Sequence, residues 1–279
     1  MEDKVLTLKK IANEVRQNII TMIYKAQSGH PGGSLSATDL VTALYFDELN
    51  IDPSNPKWDE RDRFVLSKGH VCPVLYTALA MRGYFGIEVL ETLRKEGSIL
   101  QGHPDMKRCP GIDISTGSLG QGISVAVGMA LRAKRDNMDY RTFVLLGDGE
   151  SQEGQVFEAL ATASKYQLNN LVVMVDNNNL QNDGTCDDIM PTLDLKTKFG
   201  AFGLETYEID GHNMEEIVKV LDEIKNSKSS KPKCIIAKTV KGKGVSFMEN
   251  VPSWHGVAPN DEEYKIAMGE LKEAYACLQ

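Results

Sequence analysis

The sequence predicts an α/β fold with a mainly parallel central sheet and helices on both faces. Three observations predict it. Short apolar runs, Arg63 to Leu66, Thr142 to Leu146 and Leu171 to Val175, are continuous rather than alternating, the mark of strands buried on both faces. Helical periodicities separate these runs, and strands alternating with helices imply right-handed crossovers into a parallel sheet. Length permits it as well: 279 residues should bury about 73% of the unfolded surface, a core that needs neither disulfides nor structural metal.

Element by element, Val5, Leu8, Ile11, Ala12, Val15, Ile19, Ile23 and Ala26 recur at steps of three and four, so Val5 to Ala26 is an amphipathic helix with a buried stripe. A Gly/Pro-rich break follows, then a helical stretch from about Ala37 to Phe46 and a loop punctuated by Pro53 and Pro56. Further helical patterns cover Pro73 to Met81, Gly120 to Lys134, Gln155 to Tyr166 and Met214 to Lys225. Two more strands are expected near Thr206 to Ile209 and Cys234 to Thr239, with a polar loop from Asn226 to Lys233. The tail reads as a final helix at about 261–278 of a single domain spanning 1–279, with no internal repeat or low-complexity tract.

Composition narrows the function. Lys plus Arg is 31 and Asp plus Glu is 39, a net charge of −8, which argues against nucleic acid or an anionic membrane as partner. The longest nearly apolar run, Ile123 to Leu131, is far short of the ~20 residues of a bilayer span. The opening Met-Glu-Asp-Lys lacks the layout of a secretory signal, so a cytoplasmic protein is expected. Five scattered cysteines, never spaced as Cys-x-x-Cys, disfavour a disulfide framework or a zinc site.

Chemistry concentrates where strands end. The strand through Phe143 runs into Gly147-Asp148-Gly149 and then a helix, the position where open α/β sheets bind ligands and where a helix N-terminus favours anions. A carboxylate facing a phosphate there needs a hard divalent cation between them. The next strand ends in Asp176-Asn-Asn178-Asn-Leu180, thirty residues from Asp148 to Asn178, about one βαβ unit. A carboxylate, an amide oxygen and a carbonyl suit Mg²⁺. Each motif alone is also an ordinary turn composition.

All five histidines touch a glycine: Gly29-His30, Gly69-His70, Gly102-His103, Gly211-His212 and His255-Gly256. A glycine on either flank arises by chance roughly one time in six at ordinary glycine usage. Close backbone approach and proton exchange near neutral pH are active-site properties rather than packing ones. Gly117-Ser-Leu-Gly120-Gln-Gly122 is a further glycine-rich helix entry, without dinucleotide or P-loop spacing.

With Ser28-Gly-His-Pro-Gly32, Ser67-Lys-Gly-His70, Gly102-His-Pro104, Thr116 to Gly122, Gly147-Asp-Gly149 with Asn177-Asn178, Asp210-Gly-His212 and His255-Gly256 in this order, the chain resembles the transketolase family of thiamine-diphosphate enzymes. The likeness runs from the first helix to about Ala258. It implies the domain that holds the diphosphate half of the cofactor. By that resemblance Asp148, Asn178 and the Leu180 carbonyl would bind Mg²⁺, with Ca²⁺ or Mn²⁺ able to substitute, and Gly149 would lie against the diphosphate. His70 and His255 would contact diphosphate oxygens, His30 and His103 sugar hydroxyls, and Gly117 and Leu119 the aminopyrimidine. Those four histidines are the implied catalytic set. Glu153 would belong to a carboxylate network at a subunit interface, and His212 would be structural in its turn. Lys241-Gly-Lys-Gly244 is either a loop closing over the cofactor or a solvated turn.

The family's cofactor-activating glutamate and pyrimidine-side residues belong to a second domain. The resemblance therefore implies the amino-terminal subunit of a split transketolase, acting on sugar phosphates of the pentose phosphate pathway as a heterotetramer with a carboxy-terminal, pyrimidine-binding subunit. Two rivals share the fold. One is another thiamine-diphosphate enzyme, a 1-deoxyxylulose-phosphate synthase or the alpha subunit of a 2-oxo acid dehydrogenase. The other is a catalytically idle regulatory homologue.

Overall fold

The structure, a computed structural model, describes residues 2–278; Met1 and Gln279, the two ends of the expected 1–279 domain, lie outside the described residues. Helix α1 (Glu2–Ala26) buries Val5, Leu8, Ala12, Val15, Ile19 and Ile23, the stripe its periodicity predicts. The Gly/Pro-rich break is partly helical: α2 (Pro31–Ser36) and α3 (Thr38–Ala43) follow one another and end in a wide turn through Glu48. Proline at the start of α2 presets a helical φ, and its glycines permit close packing. A Cβ on Gly33 would lie 2.6 Å from Val71 Cγ1, and one on Gly32 2.8 Å from the Trp254 carbonyl.

The remaining elements are β1 (Arg63–Leu66), α4 (Cys72–Met81), α5 (Gly122–Arg135), β2 (Thr142–Gly147), α6 (Gly154–Lys165) and β3 (Leu171–Asn177). They continue with α7 (Cys186–Ile189), α8 (Leu195–Ala201), β4 (Glu205–Asp210), α9 (Met214–Asn226), β5 (Lys233–Lys238) and α10 (Asp261–Ala276). Helices α7 and α8 are too short to show a periodicity of their own and lie outside the predicted set.

The five strands form one parallel sheet in the order β1-β2-β3-β5-β4. Their alternate side chains feed two cores. Phe64, Phe143, Leu145, Met174 and Ile235 pack with α1, α3, α4 and α9; Val65, Val144, Val173, Val175 and Ile236 pack with α5, α6 and α8. The chain steps back from β4 to β5, and a right-handed crossover taken in that reverse direction puts α9 on the face opposite α6. Register then levels the carboxyl ends: Gly147 pairs with Asp176, and Asn177 with Lys238. Residues leaving β1, β2, β3 and β5 thus share one edge.

Candidate active site at the carboxyl edge of the sheet

Asp148 leaves β2 buried, with both carboxylate oxygens held by backbone: Gly149 N–H donates at 2.7 Å and Asn179 N–H at 2.5 Å. Asn179 has φ +58°, a left-handed conformation that asparagine tolerates. It turns the chain so that Leu180 N–H donates to Asn178 Oδ1 at 3.0 Å. Asp148, Asn178 and Leu180 line one cavity of about 250 Å³ together with His70, Leu119, Gly149, Glu153 and His255. Burial first, and the neighbouring Asp176 carboxylate second, push the Asp148 carboxyl up to about 6.

Asp176, at the end of β3, is fully buried yet well supplied with donors. Lys68 Nζ donates at 2.6 Å, Ser36 Oγ at 2.5 Å, and Thr239 Oγ1 to the other oxygen. Burial alone would raise its pKa, but the Lys68 ammonium and these hydrogen bonds hold it below the usual carboxylate value.

Opposite the acids stand the basic groups. The His30, His70 and His255 rings form a triangle with centroids 5.2 to 5.4 Å apart. Burial disfavours the imidazolium in all three, with Arg94, Lys68 and Lys241 respectively the next cause, so they titrate at about 4, 2 and 3. All are neutral at physiological pH. Lys241 is buried, and its ammonium meets the Gln181 carbonyl and His255 Nδ1, each at 2.9 Å. Among the described residues it has no carboxylate within salt-bridge distance. Burial, then the Lys68 charge, lowers its pKa to about 8.

The expected residues are thus brought together with two qualifications. His103 stands outside the triangle, its ring against Gly117, where an added Cβ would lie 2.7 Å from His103 Cδ2; burial and Arg94 lower its pKa too. Glu153 is exposed at the rim, and its neighbour Glu150 is the buried acid. Glu150 accepts from Gly120 N–H at 2.9 Å, Gly147 N–H at 3.1 Å and the Ser67 hydroxyl, tying the glycine-rich loop to two strand ends. His212 does not line the cavity; its ring accepts from Val240 N–H and meets Asp39. Sequence reasoning passed over Lys68, Glu150, Asp176 and Gln181. Lys68 lies within Ser67-Lys-Gly-His70, and Asp176 directly follows the apolar run Leu171 to Val175, where it reads as the start of a polar turn.

The donor chemistry fits a hard cation with an anion. Among the described residues no three His, Cys, Asp or Glu side chains converge on a point. Asp148 and Asn178 therefore offer an oxygen set that ligand oxygens must complete, as Mg²⁺ with a diphosphate does. Gln181 Nε2 is a buried donor without a partner, and the Gln181 side chain packs against Gly149, where a Cβ would meet Cγ at 3.1 Å.

Comparison with known proteins identifies the family. Residues 7–275 match the family model described as "Transketolase, thiamine diphosphate binding domain". One subunit of the apulose-4-phosphate transketolase of Phocaeicola vulgatus is 43% identical over 276 residues, 99% of this chain and 98% of that protein. The 6-deoxy-6-sulfo-D-fructose transketolase subunit SqwG of Clostridium sp. is 45% identical over 273 residues, 98% of this chain and 99% of that protein. The crystal structure of transketolase from Campylobacter jejuni superposes with a TM-score of 0.90 at 37% identity, over 95% of this chain but only 42% of the larger protein. The chain therefore belongs to the transketolase family, as its thiamine diphosphate binding domain.

Proposed function

We propose that the chain is the diphosphate-binding subunit of a two-subunit transketolase, using thiamine diphosphate and Mg²⁺ to transfer a two-carbon ketol unit from a ketose phosphate to an aldose phosphate. The observation that carries this reading is the pairing across one cavity of a buried acid, Asp148, with a buried ammonium, Lys241, that among the described residues has no carboxylate within salt-bridge distance. Such a site is matched by a cation and a polyanion bound together.

When bound, thiamine diphosphate supplies the electron sink for breaking and forming the carbon–carbon bond. The protein's part is to hold and orient. Asp148, Asn178 and the Leu180 carbonyl hold the metal, and Lys241, His70 and His255 face the diphosphate with Gly149 against it. Gly117 and Leu119 approach the aminopyrimidine. His30 and His103, neutral at physiological pH, exchange hydrogen bonds with sugar hydroxyls without adding charge.

A carboxy-terminal subunit supplies the pyrimidine-binding half and the catalytic glutamate, in a heterotetramer with Glu153 near the contact. The two relatives named as subunits are matched over nearly their whole length, which supports a divided enzyme. Four buried free cysteines suit the reducing cytoplasm.

The test is to mix this chain with the product of the neighbouring reading frame, thiamine diphosphate and Mg²⁺, and assay ketol transfer to ribose 5-phosphate. Xylulose 5-phosphate, apulose 4-phosphate and 6-deoxy-6-sulfofructose serve as trial donors. Turnover with at least one donor is expected. Cofactor and metal bound without turnover would favour the idle homologue.

A further inference from the structure

Lys241 is placed through the backbone of residues 240–243, by partners that lie outside the cavity lining. Val240 N–H donates to His212 Nε2 at 2.8 Å, Asn250 N–H to the Lys241 carbonyl at 2.9 Å, and Gly242 N–H to the Gly32 carbonyl at 2.9 Å; the Lys243 carbonyl accepts from Arg16 Nε at 3.2 Å. His212 and Arg16 meet on one acid. Asp39 takes both terminal nitrogens of Arg16, at 3.1 and 2.5 Å, and His212 Nδ1 at 2.7 Å. The three side chains are only 8 to 11% exposed. The stretch is correspondingly unlike a solvated turn: a Cβ on Gly242, whose φ is +82°, would lie 2.3 Å from the Met248 carbonyl oxygen.

Hydrogen-bond polarity then settles two protons. A backbone N–H only donates, so His212 Nε2 carries the lone pair, and its proton sits on Nδ1 facing the Asp39 carboxylate. An ammonium also only donates, so His255 Nδ1, 2.9 Å from Lys241 Nζ, is the acceptor and that ring's proton sits on Nε2. We infer that Arg16, Asp39 and His212 form a positioning network that seats Lys241 against His255 and so fixes His255 as the Nε2–H tautomer, the opposite of His212. The inference builds on the cofactor-site reading of the same cavity: an Nε2–H donor suits phosphate and sugar oxygens, which accept.

The experiment is long-range ¹H–¹⁵N correlation on the full chain labelled with ¹⁵N-histidine, at neutral pH and without cofactor or partner. Single His→Gln variants assign the five rings. His212 is expected protonated on Nδ1 and His255 on Nε2. A His255 proton on Nδ1, or one shared between both nitrogens, overturns the inference. In Lys241→Met the single-tautomer signature of His255 should be lost while that of His212 persists; an unchanged His255 signature removes Lys241 from the argument. His212→Phe, in a folded chain, should shift the His255 signature in the same way. No shift there would make the network structural only. These readouts need neither cofactor nor turnover, so they stand or fall apart from the transferase assay.

Discussion

Asp148 and Asp176 stand at the carboxyl ends of adjacent strands and are both buried, yet they titrate in opposite directions, a difference that bears on the proposed metal site. Asp176 has an ammonium and two hydroxyls, so its charge is compensated within the protein. Asp148 has only two backbone donors and a like charge nearby, so its carboxylate is incompletely compensated within the protein, as the proposed metal site requires. Asp148→Ala is therefore expected to abolish Mg²⁺-dependent binding of thiamine diphosphate in calorimetry while the fold persists by circular dichroism; unchanged binding would remove Asp148 from the metal site. Lys68→Met leaves Asp176 buried and unpaired and should destabilise by about 3–5 kcal/mol in urea unfolding. The histidines predict a pH dependence. His30, His70 and His255 titrate at about 4, 2 and 3 in the fold against an ordinary 6.5, so below pH 6.5 the unfolded chain binds protons that the folded chain refuses. Stability then falls as pH falls through that window. Asp148, raised from 3.8 to about 6, opposes this, because the folded chain takes up that proton first. Glu150, raised by burial, opposes it too, while His103 is lowered like the other three; four imidazoles outweigh two carboxyls, so Tm should drop from pH 6.5 towards 4, and His70→Gln should flatten the slope. A profile of the variant parallel to the parent would contradict the burial argument.

Elements carried the legible part of the sequence and loops the rest. Continuous apolar runs located β1, β2 and β3, because a strand buried on both faces has no polar position to blur it; β4, half-buried and carrying Glu205, Glu208 and Asp210, has no such run. Even so, β3 extends to Asn177, two residues past its apolar run, since its hydrogen-bond ladder continues where its polar residues begin. Helix α2 was hidden because Pro31-Gly-Gly33 reads as a break, and its stability comes from packing against Val71 and Trp254, which are distant in sequence. Asp148 and the histidines were legible from their glycine neighbours, and Asn178 from its place at the end of the next strand, thirty residues from Asp148. Glu150 was not: its value lies in three donors from three segments, and Glu153, three residues on, fits the same short pattern while facing solvent. Helix α5 offers a paired test of close packing. At Gly122 a Cβ would lie 2.8 Å from Ser67 Cβ and 2.9 Å from its Cα, whereas at Gly128 nothing lies within 4 Å. Gly122→Ala should cost about 1–3 kcal/mol. In the isolated chain Gly128→Ala should stabilise by roughly 0.5–1 kcal/mol, through helix propensity alone. Equal effects in urea unfolding would show that α5 does not seat against β1 as described.

At the scale of the whole molecule the cavity lies beside an apolar border that the described residues leave exposed. Leu119, on the cavity wall, is exposed, as are Ile189, Met190 and Leu193. Gln152 links the two, lining the cavity and donating to the Met190 carbonyl at 2.5 Å. Exposed large apolar side chains grouped at a site rim mark an interaction surface, and the divided-enzyme reading names its occupant, the pyrimidine-binding subunit. Two consequences follow from that assignment. Alone, the chain should show no ketol transfer even with saturating thiamine diphosphate and Mg²⁺, because half of the cofactor would face solvent. On adding the partner, backbone amides of 186–194 should gain hydrogen-exchange protection together with the activity, and Leu193→Asp should weaken both in proportion. The charge is placed at the most exposed of these side chains, 75% accessible, so the free chain's stability should move by less than about 0.5 kcal/mol. Full activity and unchanged protection in Leu193→Asp would move the partner to another face of the sheet.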